Sequence, residues 1–218
     1  MNKINLKTLH QDIAHQIREM IINGEMINGQ KIDERLLCES MGVSRTPVRE
    51  AIRILSSEGL IKLVPHKGAF LSELSRKEIN EMFEVMSTLE GMCARLATKK
   101  MKEKDFQKIE KLHQELEQHY QNKDQKSYIK SNNKYHIFLQ VLSGNGVLHD
   151  VINGLRNKIL WYRFRSLNDP NRFSQSIKEH REILEAFRHR NDRKAEALLK
   201  LHLKKAGKIV AKMVSEIH

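Results

Sequence analysis

The chain has 218 residues, 39% of them hydrophobic and 30% charged, with a formal net charge of +12 at pH 7. That length leaves room for two domains of ordinary size, and no apolar run approaches the roughly 18 residues that a membrane span needs. The positive charge invites a nucleic-acid reading, but residues 1–74 hold 10 Lys+Arg and 9 Asp+Glu, while residues 75–218 hold 29 and 18, so placement of individual arginines must carry that reading.

The opening stretch, MNKINLKTLHQDIAHQ, has no apolar core followed by a small-residue cleavage site. We therefore expect a cytoplasmic protein without a membrane partner, and read the well-separated Cys38 and Cys93 as buried free thiols. Over 6–23, Leu6, Leu9, Ile13, Ile17, Met20 and Ile21 recur at helical spacing, and Gly24 ends the helix. After a polar turn at Gly29, Asp33 caps a second helix with Leu36, Leu37 and Met41 inside, broken by Gly42. The third helix runs from about Arg45 to Glu58, with Val48, Ala51, Ile52 and Leu55 as its inner stripe. Ser44 is its N-cap and Pro47 lies in its first turn, where a missing N–H does no harm. Arg45, Thr46 and Arg49 share the exposed face of that turn and suit phosphates and the major-groove edge of guanine. Two short strands, Leu60–Val64 and Ala69–Leu71, flank the turn Pro65-His66-Lys67-Gly68. Helix-turn-helix plus hairpin is a winged helix, which places the third helix in the major groove and lets the His66-Lys67-Gly68 tip reach the backbone or minor groove.

Beyond the short linker Ser72–Ser75 the pattern is helical throughout. Ser75 and Glu78 form a capping box for a helix over 76–101. Further helices are predicted over 103–122, 124–142, 146–166, 172–190 and 192–216, with Leu167-Asn168-Asp169-Pro170 as a breaker. The expected fold is mainly α: an N-terminal winged helix-turn-helix over 1–73, then an all-α bundle over 74–218.

Three of the bundle helices each aim a histidine inward. His136 shares its stripe with Ile129, Asn132 and Leu139, His180 with Ile177, Leu184 and Phe187, and His202 with Leu198, Ala206 and Ile209. Two readings stay open: satisfied core histidines, or a divalent-metal site built from three imidazoles and the Asn132 amide. His10, His15, His66, His113, His119, His149, His189 and His218 share no such spacing. Arg163 lies near the Ile152–Ile159 stripe with Tyr162 beside it, as an anion-binding pair or a surface snorkelling residue and its neighbour. A metal-dependent hydrolase is the alternative class, but it needs a general base. Glu179, beside His180, falls on the next helix face, and no His-Glu-x-x-His or Gly-x-Ser-x-Gly motif is present.

Segment 6–71 resembles the winged helix of the GntR family of bacterial transcription regulators. The resemblance is carried by Ile21-Ile22-Asn23-Gly24, Asp33-Glu34-Arg35-Leu36, Gly42 through Ala51, Glu58-Gly59-Leu60 and Gly68-Ala69. It implies operator contacts from Arg35, Ser44, Arg45, Thr46, Arg49, His66 and Gly68, by a homodimer on two-fold double-stranded DNA. Residues 76–210 resemble the FCD ligand-binding domain of the FadR-type subfamily, through Leu89-Glu90-Gly91, Ala94-Arg95-Leu96-Ala97, Tyr135-His136, Ser143-Gly144-Asn145, Glu179-His180 and the Ala195–His202 run. That resemblance implies a zinc or nickel ion held at Asn132, His136, His180 and His202, with Asn132 standing where the family has an aspartate. It further implies a small carboxylate effector, for which Arg163 and Tyr162 are the candidates because Met86 replaces a family arginine. Repression is the expected mode, and a metal-free helical domain is the other alternative.

Overall fold

The computed structural model describes residues 9–167 and 169–215. Leu6, Asn168, residue 216 and His218, which figure in the readings above, lie outside the described residues. The chain divides into two compact units, Met1–Glu73 with Asn157–Trp161, and Leu74–Arg156 with Tyr162–His218.

In the first unit, α1 (Leu9–Ile22), α2 (Glu34–Met41) and α3 (Arg45–Ser57) precede an antiparallel hairpin of β1 (Ile61–Val64) and β2 (Gly68–Leu71). Steps of four bring Ile13, Ile17 and Ile21 to one face of α1, all buried with Val48, Ala51, Ile52 and Leu55 of α3. Asp33 caps α2 as expected, its Oδ1 accepting from the Arg35 amide at 2.9 Å and the Leu36 amide at 3.1 Å. Gly42 closes α2 at φ 64°, the left-handed region that favours glycine. In the hairpin, Lys67 N–H donates to the Val64 carbonyl at 3.1 Å across Pro65 and His66, and His66 has φ 60°. Proline followed by a positive-φ residue is the pattern of a type II turn. Gly29-Gln30-Lys31-Ile32 shows no alternation in sequence, yet it takes part in the hairpin. Ile32 N–H donates to the Ala69 carbonyl at 2.8 Å, Leu71 N–H to the Gln30 carbonyl at 2.9 Å, and Lys31 bridges Phe70, so the supposed turn pairs with β2.

The helices beyond the linker are α4 (Arg76–Lys100), α5 (Glu103–Gln121), α6 (Gln125–Leu142), α7 (Gly146–Lys158), α8 (Leu160–Leu167), α9 (Pro170–Arg188) and α10 (Asp192–Ser215). The Ser75–Glu78 capping box forms at the start of α4. Two boundaries differ from expectation. The predicted helix over 146–166 is broken at Ile159, where the sequence carries neither glycine nor proline. The helix expected from 172 starts at Pro170, because Asp169 caps it, accepting from the Asn171 amide at 2.8 Å, and Pro170 fills its first position. The core of the second unit gathers Ala94, Ile109, Leu116, Tyr135, Leu139, Ile177, Phe187 and Leu199. There α10 lies close on α4: a Cβ at Gly207 would stand 2.7 Å from Phe83 Cβ.

Candidate DNA face and histidine cluster

The DNA-reading candidates are all exposed. Ser44 sits at the N-cap of α3 but makes no capping hydrogen bond with its side chain, which leaves the hydroxyl open. An exposed groove is lined by Lys31, Arg35, Arg45, His66, Lys67 and Gly68, so the start of α2, the first turn of α3 and the wing tip share one surface. Arg35 pairs with Glu39 at 2.9 Å and Arg49 with Glu34 at 2.8 Å. Exposed pairs of this kind contribute little stability, so either guanidinium exchanges its carboxylate for a phosphate at small cost. Arg45 makes no hydrogen bond or ion pair among the described residues. This basic surface sits in a nearly neutral segment, which is why total charge does not reveal it.

In the second unit, α6, α9 and α10 bring His136, His180 and His202 together. One ring nitrogen of each lies within 4.8 Å of the others, and all three residues are buried. Ring centroids stand 5.5 Å apart for His136 and His180, 5.5 Å for His136 and His202, and 4.8 Å for His180 and His202. Burial lowers the pKa of each ring. His136 falls to about 3, although Glu90 opposes the shift, and His180 falls well below its ordinary value, with the neighbouring His202 and His136 adding to the effect. For His202 burial again outweighs the opposing hydrogen bond to Glu179. All three imidazoles are therefore neutral at pH 7.

The hydrogen-bond partners fix which nitrogen is free. His136 Nδ1 lies 2.5 Å from Glu90 Oε2, and His202 Nδ1 lies 2.7 Å from Glu179 Oε2. Burial alone would raise both carboxyls, but cationic and hydrogen-bonding neighbours override it. Glu90 is held well below the usual carboxylate range by Arg156 and His136, and Glu179 is held at about 2 by His202 and Arg172. An ionised carboxylate only accepts, so each Nδ1 donates and each Nε2 keeps its lone pair. His180 Nε2 donates to Asn132 Oδ1 at 2.7 Å, which leaves the lone pair on Nδ1. Both His136 Nε2 and His180 Nδ1 are buried without a hydrogen-bond partner. Leaving such atoms unsatisfied costs about 1–3 kcal/mol each. Buried neutral rings with lone pairs free, each backed by an acceptor on its far nitrogen, are the arrangement that metal-binding histidines need.

Glu179 lies on the face next to His180, as its spacing predicts, and that face is also inside: Arg172, Ser176, Glu179 and Ile183 form a second buried stripe of α9 beside Phe173, Ile177, His180 and Leu184. Three further residues were not assigned any role. Glu90 accepts from Arg156 Nη1 at 2.5 Å as well as from His136, Arg156 Nη2 donates to Asn133 Oδ1 at 2.8 Å, and Arg172 Nη1 donates to Glu179 at 2.8 Å. Glu90 falls four residues after Met86 and three before Cys93, and Arg156 four after Ile152, so charges on apolar stripes were the available signal. Of the two effector candidates, Tyr162 is buried and its hydroxyl accepts from the Leu74 amide at 2.7 Å. The guanidinium of half-buried Arg163 makes no hydrogen bond among the described residues. It stands within electrostatic reach of Arg156 and Glu90, and loss of solvent, reinforced by Arg156, pushes it down to about 9.

A winged helix joined to a helical C-terminal domain is the architecture of a class of DNA-binding regulators. Residues 9–71 match the bacterial regulatory proteins of the gntR family, and residues 81–205 match the FCD domain. The chain belongs to the GntR family of transcription regulators, in the group that carries an FCD domain. It is similar to the uncharacterized HTH-type transcriptional regulator YdhC of Bacillus subtilis (strain 168), 29% identical over 189 residues, covering 86% of this chain and 84% of that one. It is also similar to the HTH-type transcriptional repressor RspR of Escherichia coli (strain K12), 22% identical over 209 residues, covering 95% and 91%. Among solved structures, McbR/YncC of E. coli superposes with a TM-score of 0.84 at 19% identity, covering 95% and 99% of the two chains, and so shares the fold. These families and relatives are transcription regulators rather than enzymes, which sets the hydrolase alternative aside. Among the described residues, no helix is long and apolar enough to cross a membrane.

Proposed function

We propose that this chain is a cytoplasmic, ligand-responsive repressor that binds a two-fold operator as a homodimer. In this reading Arg45 and Arg49 grip base edges and phosphates, Arg35 and Ser44 hold the backbone, Thr46 lies beside them, and the His66–Gly68 wing tip reaches the neighbouring groove. The helical domain holds a divalent cation, zinc or nickel, through His136, His180 and His202. Asn132 stands behind His180 and sets its orientation. A bound cation offers open coordination positions to a small carboxylate. Arg163, the free guanidinium, meets that carboxylate, while Tyr162 anchors Leu74 instead of touching ligand. Ligand binding then changes DNA affinity by a coupling free energy of about 1–3 kcal/mol.

The observation that carries this reading is the set of three neutral, converging imidazoles, two of them with a buried nitrogen that nothing else satisfies. The test is metal analysis of protein purified without chelator, beside the triple variant His136→Ala/His180→Ala/His202→Ala. We expect close to one ion per chain in the wild type and none in the variant. Equal, substoichiometric metal in both would return the helical domain to a metal-free module.

A further inference from the structure

The segment before α2 carries a lysine to which the DNA-face reading gives no role. Ile32 N–H donates to the Ala69 carbonyl and Leu71 N–H to the Gln30 carbonyl, one residue to either side of the Lys31–Phe70 bridge. That pattern makes Lys31 and Phe70 a non-hydrogen-bonded antiparallel pair, in which the two side chains share a face and lie closest. Lys62 pairs with Phe70 from the other side, so Phe70 stands between two exposed lysines. Alternation puts Ile32, Ala69 and Leu71 on the opposite, buried face.

Of these two lysines, Lys31 alone lines the DNA-reading groove, together with Arg35, Arg45, His66 and Lys67. Gly68 precedes Phe70 by two residues, so it shares the face of Phe70 and lies diagonal to Lys31. A Cβ at Gly68 would stand 3.4 Å from Lys31 Cε. The lysine stem therefore runs past the place where Gly68 has no side chain. Among the described residues the Lys31 ammonium makes no hydrogen bond or ion pair. The two acids nearest in sequence are engaged: Asp33 Oδ1 accepts from the Arg35 and Leu36 amides, and Glu34 pairs with Arg49. An exposed ammonium held beside other cations, with no carboxylate of its own, is suited to a phosphate of the DNA backbone.

Resting on the DNA face described above, we propose that Lys31 is a further phosphate contact of this regulator. Gln30–Ile32 delivers it as a third strand laid along β2, and Gly68 leaves its path open. Lys31 adds affinity and salt dependence without reading sequence, whereas Arg45 reads bases.

The test uses the full chain, a duplex that it selects from random sequence, and a scrambled duplex of the same length. Affinity is measured by anisotropy over a series of potassium chloride concentrations for the wild type, Lys31→Met, Lys62→Met and Arg45→Ala. Methionine keeps an apolar stem and removes the charge. Each phosphate contact contributes about 0.9 to the slope of log affinity against log salt. We expect Lys31→Met to lower that slope by about 0.9 for every chain bound, on both duplexes. A fourfold rise in salt then costs the variant about 3.5-fold less affinity per chain than it costs the wild type. Lys62→Met, outside the groove, should keep the wild-type slope. An unchanged slope in Lys31→Met, with Arg45→Ala still weakening binding to the selected duplex, overturns the proposal and leaves the DNA face in place. An equal drop in Lys62→Met also overturns it, because any charge on the hairpin would then serve. No change in either Lys31→Met or Arg45→Ala removes the DNA face itself, and the proposal with it.

Discussion

Replacing Glu90 with leucine probes the polar frame around the histidines most sharply. Glu90 is 1% exposed and joins two groups, Arg156 at 2.5 Å and His136 at 2.5 Å. Its loss strands a buried guanidinium and leaves the His136 Nδ1 proton without an acceptor. Breaking one partner out of a buried ion pair costs about 3–5 kcal/mol. For a chain of this length each kcal/mol lowers the melting temperature by about 2–4 °C, so the expected loss is about 6–20 °C. Adding Arg156→Met to Glu90→Leu removes the stranded charge and leaves the unsatisfied ring nitrogen, at about 1–3 kcal/mol, while Asn133, which also loses its donor, is only part-buried. The double variant should therefore be more stable than the single one by about 2 kcal/mol, because a buried pair replaced whole by apolar groups is close to neutral. Thermal and urea unfolding of the metal-free proteins, followed by circular dichroism, measures both. A single variant that loses less than about 1 kcal/mol, or a double variant no more stable than the single, would show that Glu90 and Arg156 do not act as a buried pair.

Further expectations concern the rest of the molecule. Arg45→Ala should weaken binding to a selected DNA site by about 1–3 kcal/mol, with relaxed preference at one base pair; unchanged affinity in an anisotropy titration would remove Arg45 from the interface. Gly207→Ala pits a helix-propensity gain of about 1 kcal/mol against a new Cβ placed 2.7 Å from Phe83 Cβ and Cγ. Overpacking of a tight helix pair costs about 1–3 kcal/mol, so a lower melting temperature is expected, and a higher one would mean that α4 and α10 separate easily. His113 is buried among Glu117, Glu110, Arg181 and Arg188, and burial first, then the two arginines, hold its pKa below 6.5 against the two glutamates. The unfolded chain therefore takes up this proton first. The stabilisation from the neutral ring is complete above pH 6.5 and is lost as pH falls toward the lower folded value. His113→Gln should show a shallower decline in melting temperature between pH 7 and pH 5 than the wild type, and parallel curves would contradict that sign.

Much of this was legible in the chain because it depends on local spacing. Asp33, Ser75 and Gly42 mark helix ends through their own backbone chemistry, and the stripe Val48, Ala51, Ile52, Leu55 needs only helical periodicity. The three histidines could be read the same way, since each sits in step with apolar neighbours on its own helix. What the spacing did not disclose were pairings between helices. Glu90, Arg156 and Arg172 looked like ordinary charges until α4, α7, α9 and α10 came together and matched them. One-sided periodicity also marks only one buried face of α9, whereas α9 buries two adjacent stripes and so brings Glu179 inside. The pairing of Lys31 with Phe70 likewise depends on a partner strand that no local signal announces.

The most direct test of the regulatory reading is a DNA titration under metal loading. A duplex selected by the protein from random sequence is titrated at fixed salt with zinc-loaded wild type. The titration is made with and without whichever acid most raises the melting temperature in a thermal-shift screen of small carboxylic and sugar acids. The acid is expected to change DNA affinity by at least about fivefold in the wild type, and to change nothing in His136→Ala/His180→Ala/His202→Ala. Equal DNA affinity with and without the acid in the wild type, or the same response in the triple variant, would contradict control of DNA binding from the histidine site.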